Sequence, residues 1–168
     1  MKRGLLAVLV VAALCLVVAQ GGLAQSKAQA SFDKLKTLAG NWEGTAGGLV
    51  SKVSYRVISN GSVLEETMQN GAEDPMVTIY HLDGDRLMVT HYCGAGNQPR
   101  MVAAPDPKHP NVFAFKFLDA TNLSSTQEGH MRDLVLTIVD KDHITQQWTW
   151  HTQNKEEKME LFKLARTK

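Results

Sequence analysis

The chain has 168 residues, of which 43 % are hydrophobic and 21 % charged, with a formal net charge of +1. That length is enough for one domain with a core of its own. Charges of both signs are interspersed and no basic run or stripe occurs, so nucleic acid is not an expected partner.

Lys2 and Arg3 give a positive start, residues 5–18 are continuously apolar, and small residues follow. This is the layout of an export signal. The apolar run is shorter than the roughly 20 residues a bilayer-spanning helix needs. Cleavage is expected after Ala19 or Ala24. Residues 1–24 are therefore assigned as a signal peptide and residues 25–168 as the mature domain. That predicts an exported protein, periplasmic or extracellular in a bacterium, with no stable membrane span once the signal is removed. Cys15 invites a lipoprotein reading, but Leu14 stands where such signals need a small residue. Loss of Lys2 and Arg3 leaves 16 basic residues against 17 acidic, a mature net charge of about −1. Cys93 is then the only cysteine, so no internal disulfide can form.

Residues 31–39 predict a short helix, with Ser31 as cap, Phe32, Leu35 and Leu38 on one stripe, and Gly40 as its end. From Trp42 the period changes to two. Residues 49–59 alternate, Asn60-Gly61 reads as a two-residue hairpin turn, and residues 63–69 return. Residues 76–82 and 86–93 form a second hairpin about Asp83-Gly84. A short strand is expected at residues 100–104, and Phe113, Phe115 and Phe117 alternate strictly within residues 111–118. Residues 133–139 and 144–151 flank a turn at Asp140-Lys141-Asp142, and residues 158–165 close the chain. Residues 105–110 and 119–130 are the longer loops. The pattern predicts an all-β fold: an antiparallel up-and-down barrel of nine to ten strands with an N-terminal plug helix. Closure also removes the strand edges that invite aggregation.

Leu38-Ala39-Gly40-Asn41-Trp42-Glu43-Gly44 resembles the Gly-x-Trp opening of lipocalins and related calycins. In that superfamily a short helix precedes the motif, and a basic residue near the last strand packs on the Trp. Arg166 stands in that place, and a cation–π contact there is physically sensible. The strand count resembles the ten-stranded members, the fatty-acid-binding proteins and nitrobindin. The Trp-x-Gly start, the Tyr80-His81-Leu82-Asp83-Gly84-Asp85-Arg86-Leu87 hairpin and Thr90-His91-Tyr92-Cys93 resemble uncharacterised secreted bacterial proteins of lipocalin-like type, over nearly the whole mature chain. The resemblance implies the barrel and structural roles for Trp42 and Arg166. It brings no established activity, and nitrobindin's haem-ligating His has no assignable counterpart here.

The chemistry-bearing residues concentrate in residues 90–100. His91 and Cys93 are two apart on a predicted strand and share a face with Leu87 and Val89, which points them into the lumen. They can hydrogen-bond a ligand, hold a metal or haem, or simply be a core histidine and a small buried hydrophobe. A zinc site needs three or four ligands, so His81, His143 or His151 would have to converge from other strands. Thiol catalysis at Cys93 would need a depressed pKa and an oriented base. Arg100, beyond a glycine-containing turn, can fork onto a carboxylate, or pair on the surface with Glu65, Glu66 or Asp106. Trp148 and Trp150 share a face with Gln146, the polar exception on an aromatic stripe. Of the adjacent Glu65 and Glu66, one faces inward and needs a partner, Arg100 being a candidate. A two-residue Asp83-Gly84 turn would pair Tyr80 with Leu87 and Met76 with His91; a longer turn shifts the register.

These residues predict a binding protein whose lumen holds a small, largely apolar ligand. Its candidate polar anchors are His91, Cys93, Arg100, Tyr80, Gln146 and Trp148, and no catalytic or metal residue is assigned. The alternatives are a haem- or metal-dependent barrel using His91 and Cys93, and an envelope protein with a filled core.

Overall fold

The computed structural model describes residues 26–168. The expected signal peptide lies outside the described residues. Helix α1 (Lys27–Lys36) is followed by strands β1 (Gly40–Ala46), β2 (Leu49–Ile58), β3 (Val63–Asn70), β4 (Met76–Asp83), β5 (Arg86–Tyr92), β6 (Gln98–Ala103), β7 (Val112–Thr121), β8 (His130–Ile138), β9 (His143–Thr152), β10 (Lys155–Lys158) and β11 (Phe162–Arg166). Each of β1 to β9 pairs antiparallel with its successor, except that β9 reaches β1 through β11. The pairing of β8 with β9 completes the sheet, so it has no break. β10 and β11 run in succession along β9 and together supply the tenth staff of a closed ten-strand barrel.

α1 begins at Ser26, whose side chain accepts a hydrogen bond from the Gln29 N–H at 3.1 Å. The cap is thus five residues earlier than Ser31, because Ser26 satisfies an N-terminal amide and Ala28 extends the apolar stripe. Ala28, Phe32 and Leu35 are buried and merge with the barrel core. Lys34 and Lys36 sit in the last turn, where the helix dipole favours cations.

The helix is locked to one end of the barrel by the end of the last strand. Arg166 donates to the Ala39 carbonyl at 2.8 Å and the Thr37 carbonyl at 3.0 Å. Its guanidinium lies 4.2 Å from the Trp42 ring centroid. The indole N–H of Trp42 donates to the Leu38 carbonyl at 2.8 Å. Gly40 adopts φ +131°, which favours glycine, and a Cβ there would stand 2.7 Å from an Arg166 nitrogen and displace the guanidinium.

Two turns differ from expectation. Asn60 and Gly61 do take positive φ, but within a four-residue loop closed by the Ile58–Val63 pair. Between β4 and β5 the last pair is Asp83–Arg86, so the two turn residues are Gly84 and Asp85. Tyr80 therefore faces Val89 and Thr78 faces His91. Pairs shift along the strand by two, so inward residues stay inward.

Candidate functional site

The barrel interior carries one buried polar network at mid-height. Glu66 on β3 is 1 % exposed and Gln146 on β9 fully buried. The Tyr80 hydroxyl donates to Glu66 Oε2 at 2.6 Å, and the Gln146 amide donates to Glu66 Oε1 at 3.0 Å and to the Tyr55 hydroxyl at 2.6 Å. The Trp148 indole N–H donates to the Gln146 carbonyl oxygen at 2.9 Å. Burial raises the pKa of Glu66, against the lowering effect of the hydrogen bonds from Tyr80 and Gln146. Burial and the Glu66 charge push both Tyr55 and Tyr80 well above the ordinary phenol value. Glu66 is thus the inward acid, and its partners are Tyr80 and Gln146 rather than Arg100. Glu65 faces out and pairs with Arg56.

Above this network, toward the end opposite α1, lies a cavity of about 70 Å³. Its walls include the thioethers of Met68, Met76, Met131 and Met159 and the rings of Trp148 and Phe162. Its polar lining is Glu66, Asn70, Glu73, Thr78 and His91. Strand pairing explains the grouping. Met68 faces Met76 across β3 and β4, Thr78 is two residues on along β4, and His91 on β5 faces Thr78. Residues two apart share a face, so these four meet on the inner wall.

His91 is the distinctive member. It is 4 % exposed, its Nδ1 lies 2.9 Å from the Thr78 hydroxyl, and its ring centroid is 4.7 Å from that of Trp148. Nε2 is buried and has no hydrogen-bond partner among the described residues. Burial lowers the His91 pKa to about 4, so the ring is neutral at physiological pH. In either neutral tautomer, Nε2 offers the cavity one unsatisfied polar atom, as a lone pair or as an N–H.

The remaining candidates fall elsewhere. Cys93 is half-buried beside the core and is not among the cavity-lining residues. Burial pushes its thiol up, opposed by a hydrogen bond from the Ala95 backbone, so thiolate is scarce at neutral pH. Arg100 stands on the outer face as a bidentate partner of Asp119, not among the residues that line the lumen. Phe117 packs on His130, whose ring is 5.1 Å from that of His151. Among the described residues, no group of three His, Cys, Asp or Glu side chains can hold a metal ion, so the convergence imagined for His81, His143 and His151 does not form. No described helix is long and apolar enough to cross a membrane.

Sequence reasoning gives no site role to the four methionines or to Thr78, although it weighs Met76 as a neighbour of His91. Their signal was available: Met68, Met76 and Thr78 lie on the same alternating face as Glu66 and Tyr80.

The same fold occurs in a crystal structure of a protein of unknown function from the DUF3598 family of Nostoc punctiforme. The TM-score is 0.56 at 12 % sequence identity, and the match covers 79 % of this chain and 49 % of that one. This chain spans about half the length of that protein. At that identity the likeness shows the fold alone. No family model and no curated protein matches the chain.

Proposed function

We propose that this barrel is an exported binding protein of calycin type, whose cavity receives a small ligand that is apolar over most of its contact and anchored through one group on His91 Nε2. Four buried side-chain atoms lack a partner among the described residues, His91 Nε2, Asn97 Oδ1, His130 Nε2 and His151 Nδ1, and the observation that carries the reading is that His91 alone of these residues lines the lumenal cavity. A buried polar atom without a partner costs roughly 1–3 kcal/mol, and a ligand supplying that partner recovers the cost. Export is supported by the charged start and apolar run of the first residues.

Volume limits the ligand. A site for a drug-sized molecule measures about 300–1,000 Å³, so a cavity of about 70 Å³ admits a ligand of only a few heavy atoms. A fatty-acid chain or a haem macrocycle does not fit without displacing the Met68, Met76 and Trp148 walls. A catalytic reading finds little support, because Cys93 is poorly ionised and His91 is held by a threonine rather than an acid.

The test is a methyl and indole NMR titration of the full chain with small alcohols, thioethers and aromatics, beside native mass spectrometry of protein taken from its exporting host. At least one fragment should move the Trp148 indole and Met76 methyl signals, and His91→Phe should abolish the shift by filling the cavity. A panel that moves neither signal, together with the bare mass from the host, would overturn the proposal.

A further inference from the structure

Four of the six methionines after Met1 line one small cavity. Core filling alone does not require this. Leucine and isoleucine fill a lumen with better-defined rotamers, and away from this cavity the contiguous buried core is mainly aliphatic and aromatic, with Met101 its one methionine among the described residues. What a thioether has and a leucine lacks is a polarizable sulfur lone pair. Here four methionines share a cavity lining with an imidazole whose outer nitrogen is buried and unpartnered.

We propose that this cavity binds a soft monovalent cation, Cu(I) by preference, through the thioethers of Met68 and Met76 and Nε2 of His91, with Met131 and Met159 completing the sulfur lining. The inference rests on reading the cavity as a binding site and goes beyond the small apolar ligand by naming a second class, a soft cation, for it. Thioether and imidazole donors select Cu(I), whereas harder cations require carboxylates, carbonyls and water. The absence of any three-member His, Cys, Asp or Glu cluster among the described residues leaves zinc without a ligand set, and this does not touch a thioether site.

The register places the donors on contiguous positions. Met68 and Met76 are a direct cross-strand pair, and Met76 and His91 are linked through Thr78. In the tautomer with hydrogen on Nδ1, that N–H donates to the Thr78 hydroxyl and Nε2 keeps its lone pair for the cation. Glu73 and Glu66 are the acidic residues of the lining. The metal is cargo, and no redox step is involved.

The experiment uses the full chain carrying Cys15→Ser and Cys93→Ser, which removes both thiols as competing ligands. Ag(I) serves as a redox-inert probe followed by methionine methyl NMR. Cu(I) affinity is then read anaerobically by competition with a chromogenic bathocuproine chelator. A single equivalent of Ag(I) should shift the Met68 and Met76 methyl signals and leave Met88 and Met101 unmoved. His91→Gln and the Met68→Leu/Met76→Leu pair remove direct donors, so each should lower Cu(I) affinity by more than the roughly 10-fold that loss of an outer-shell partner costs, with an unchanged circular dichroism spectrum. Loss of all binding in the thiol-free chain, or binding that moves no methionine methyl, overturns the inference. If Ag(I) fails while small organic fragments still shift Trp148, the soft-cation assignment falls and the binding-protein reading stands. If Ag(I) binds while every fragment fails, the assignment holds and only the small-molecule ligand is lost. Should a variant misfold, the Ag(I)-induced shifts on the otherwise unaltered chain still decide the matter.

Discussion

At one end of the barrel Phe32 and Leu35 of α1 lie buried in the same core as Trp42, and Arg166 bonds the carbonyls that follow the helix. At the other end Met68, Met76, Met131 and Met159 surround a cavity of about 70 Å³. The closed end uses rigid side chains, and the indole N–H of Trp42 there has its partner. The open end uses flexible thioethers and leaves His91 Nε2 without one. Between them both Glu66 oxygens accept hydrogen bonds, from Tyr80 and from Gln146, and Gln146 also donates to Tyr55. Proteins seldom leave a buried polar atom unpaired, and where they do it asks for an explanation. The contrast teaches that this barrel spends its packing on one end and keeps adaptability at the other.

The sharpest way to break the comparison is at Trp42. It is 1 % exposed, stands edge-on to Tyr55 at 6.5 Å and carries the Arg166 contact. Trp42→Ala should cost about 3–5 kcal/mol, read as a lower midpoint in urea unfolding. A loss below 1 kcal/mol would mean that the closed end is not where stability resides.

The next effect is pH-dependent and belongs to the open end. His91 has its pKa lowered from 6.5 to about 4 by burial. As pH falls below 6.5, the unfolded chain takes up the proton while the folded protein does not. The stability tied to neutral His91 is therefore complete above pH 6.5 and disappears as pH falls to about 4. The shift corresponds to roughly 3 kcal/mol. His91→Gln should remove that dependence, so the difference in stability between parent and variant should narrow steadily from pH 7 to pH 4. A difference that stays constant would place the ring in contact with solvent and remove the contrast between the two ends.

Much of the closed end was readable in advance, and less of the open one. Alternation over β2, β4, β7 and β9 predicted the strands, because a half-buried strand writes its period into the chain. Trp42 and Arg166 were visible only through the resemblance of the Gly-x-Trp opening to that of the calycins, which implied their roles. Helix α1 was placed five residues late because Ser26 and Ser31 are equally good caps, and only docking decides between them. The inward direction of His91 followed from its apolar neighbours Leu87 and Val89. Its contact with Thr78 did not, since that depends on whether the turn holds Asp83-Gly84 or Gly84-Asp85. Arg100 looked like a ligand anchor, but its Asp119 partner lies 19 residues away on a strand whose register with β6 shifts beside it. The methionines escaped notice because Met reads as generic core, and its clustering appears only when four separated segments close into a barrel.

The smallest expected effect is also the one that tests whether those methionines are packing or lining. Met→Leu conserves volume, and such swaps in a core usually cost less than about 1.5 kcal/mol. At Met76 the cost should fall near the bottom of that range, because part of its surface faces a cavity rather than neighbouring atoms. Met101 is fully buried on the inner wall and outside the cavity lining, so Met101→Leu meets tight contacts on every side and should cost more. Urea midpoints at unchanged slope would separate the two, since the surface exposed on unfolding is the same in both. A Met76→Leu loss equal to or above that of Met101→Leu would show the thioether fixed in a close-packed environment. The open end would then be as rigid as the closed one, and the orphaned His91 nitrogen would be a local packing defect.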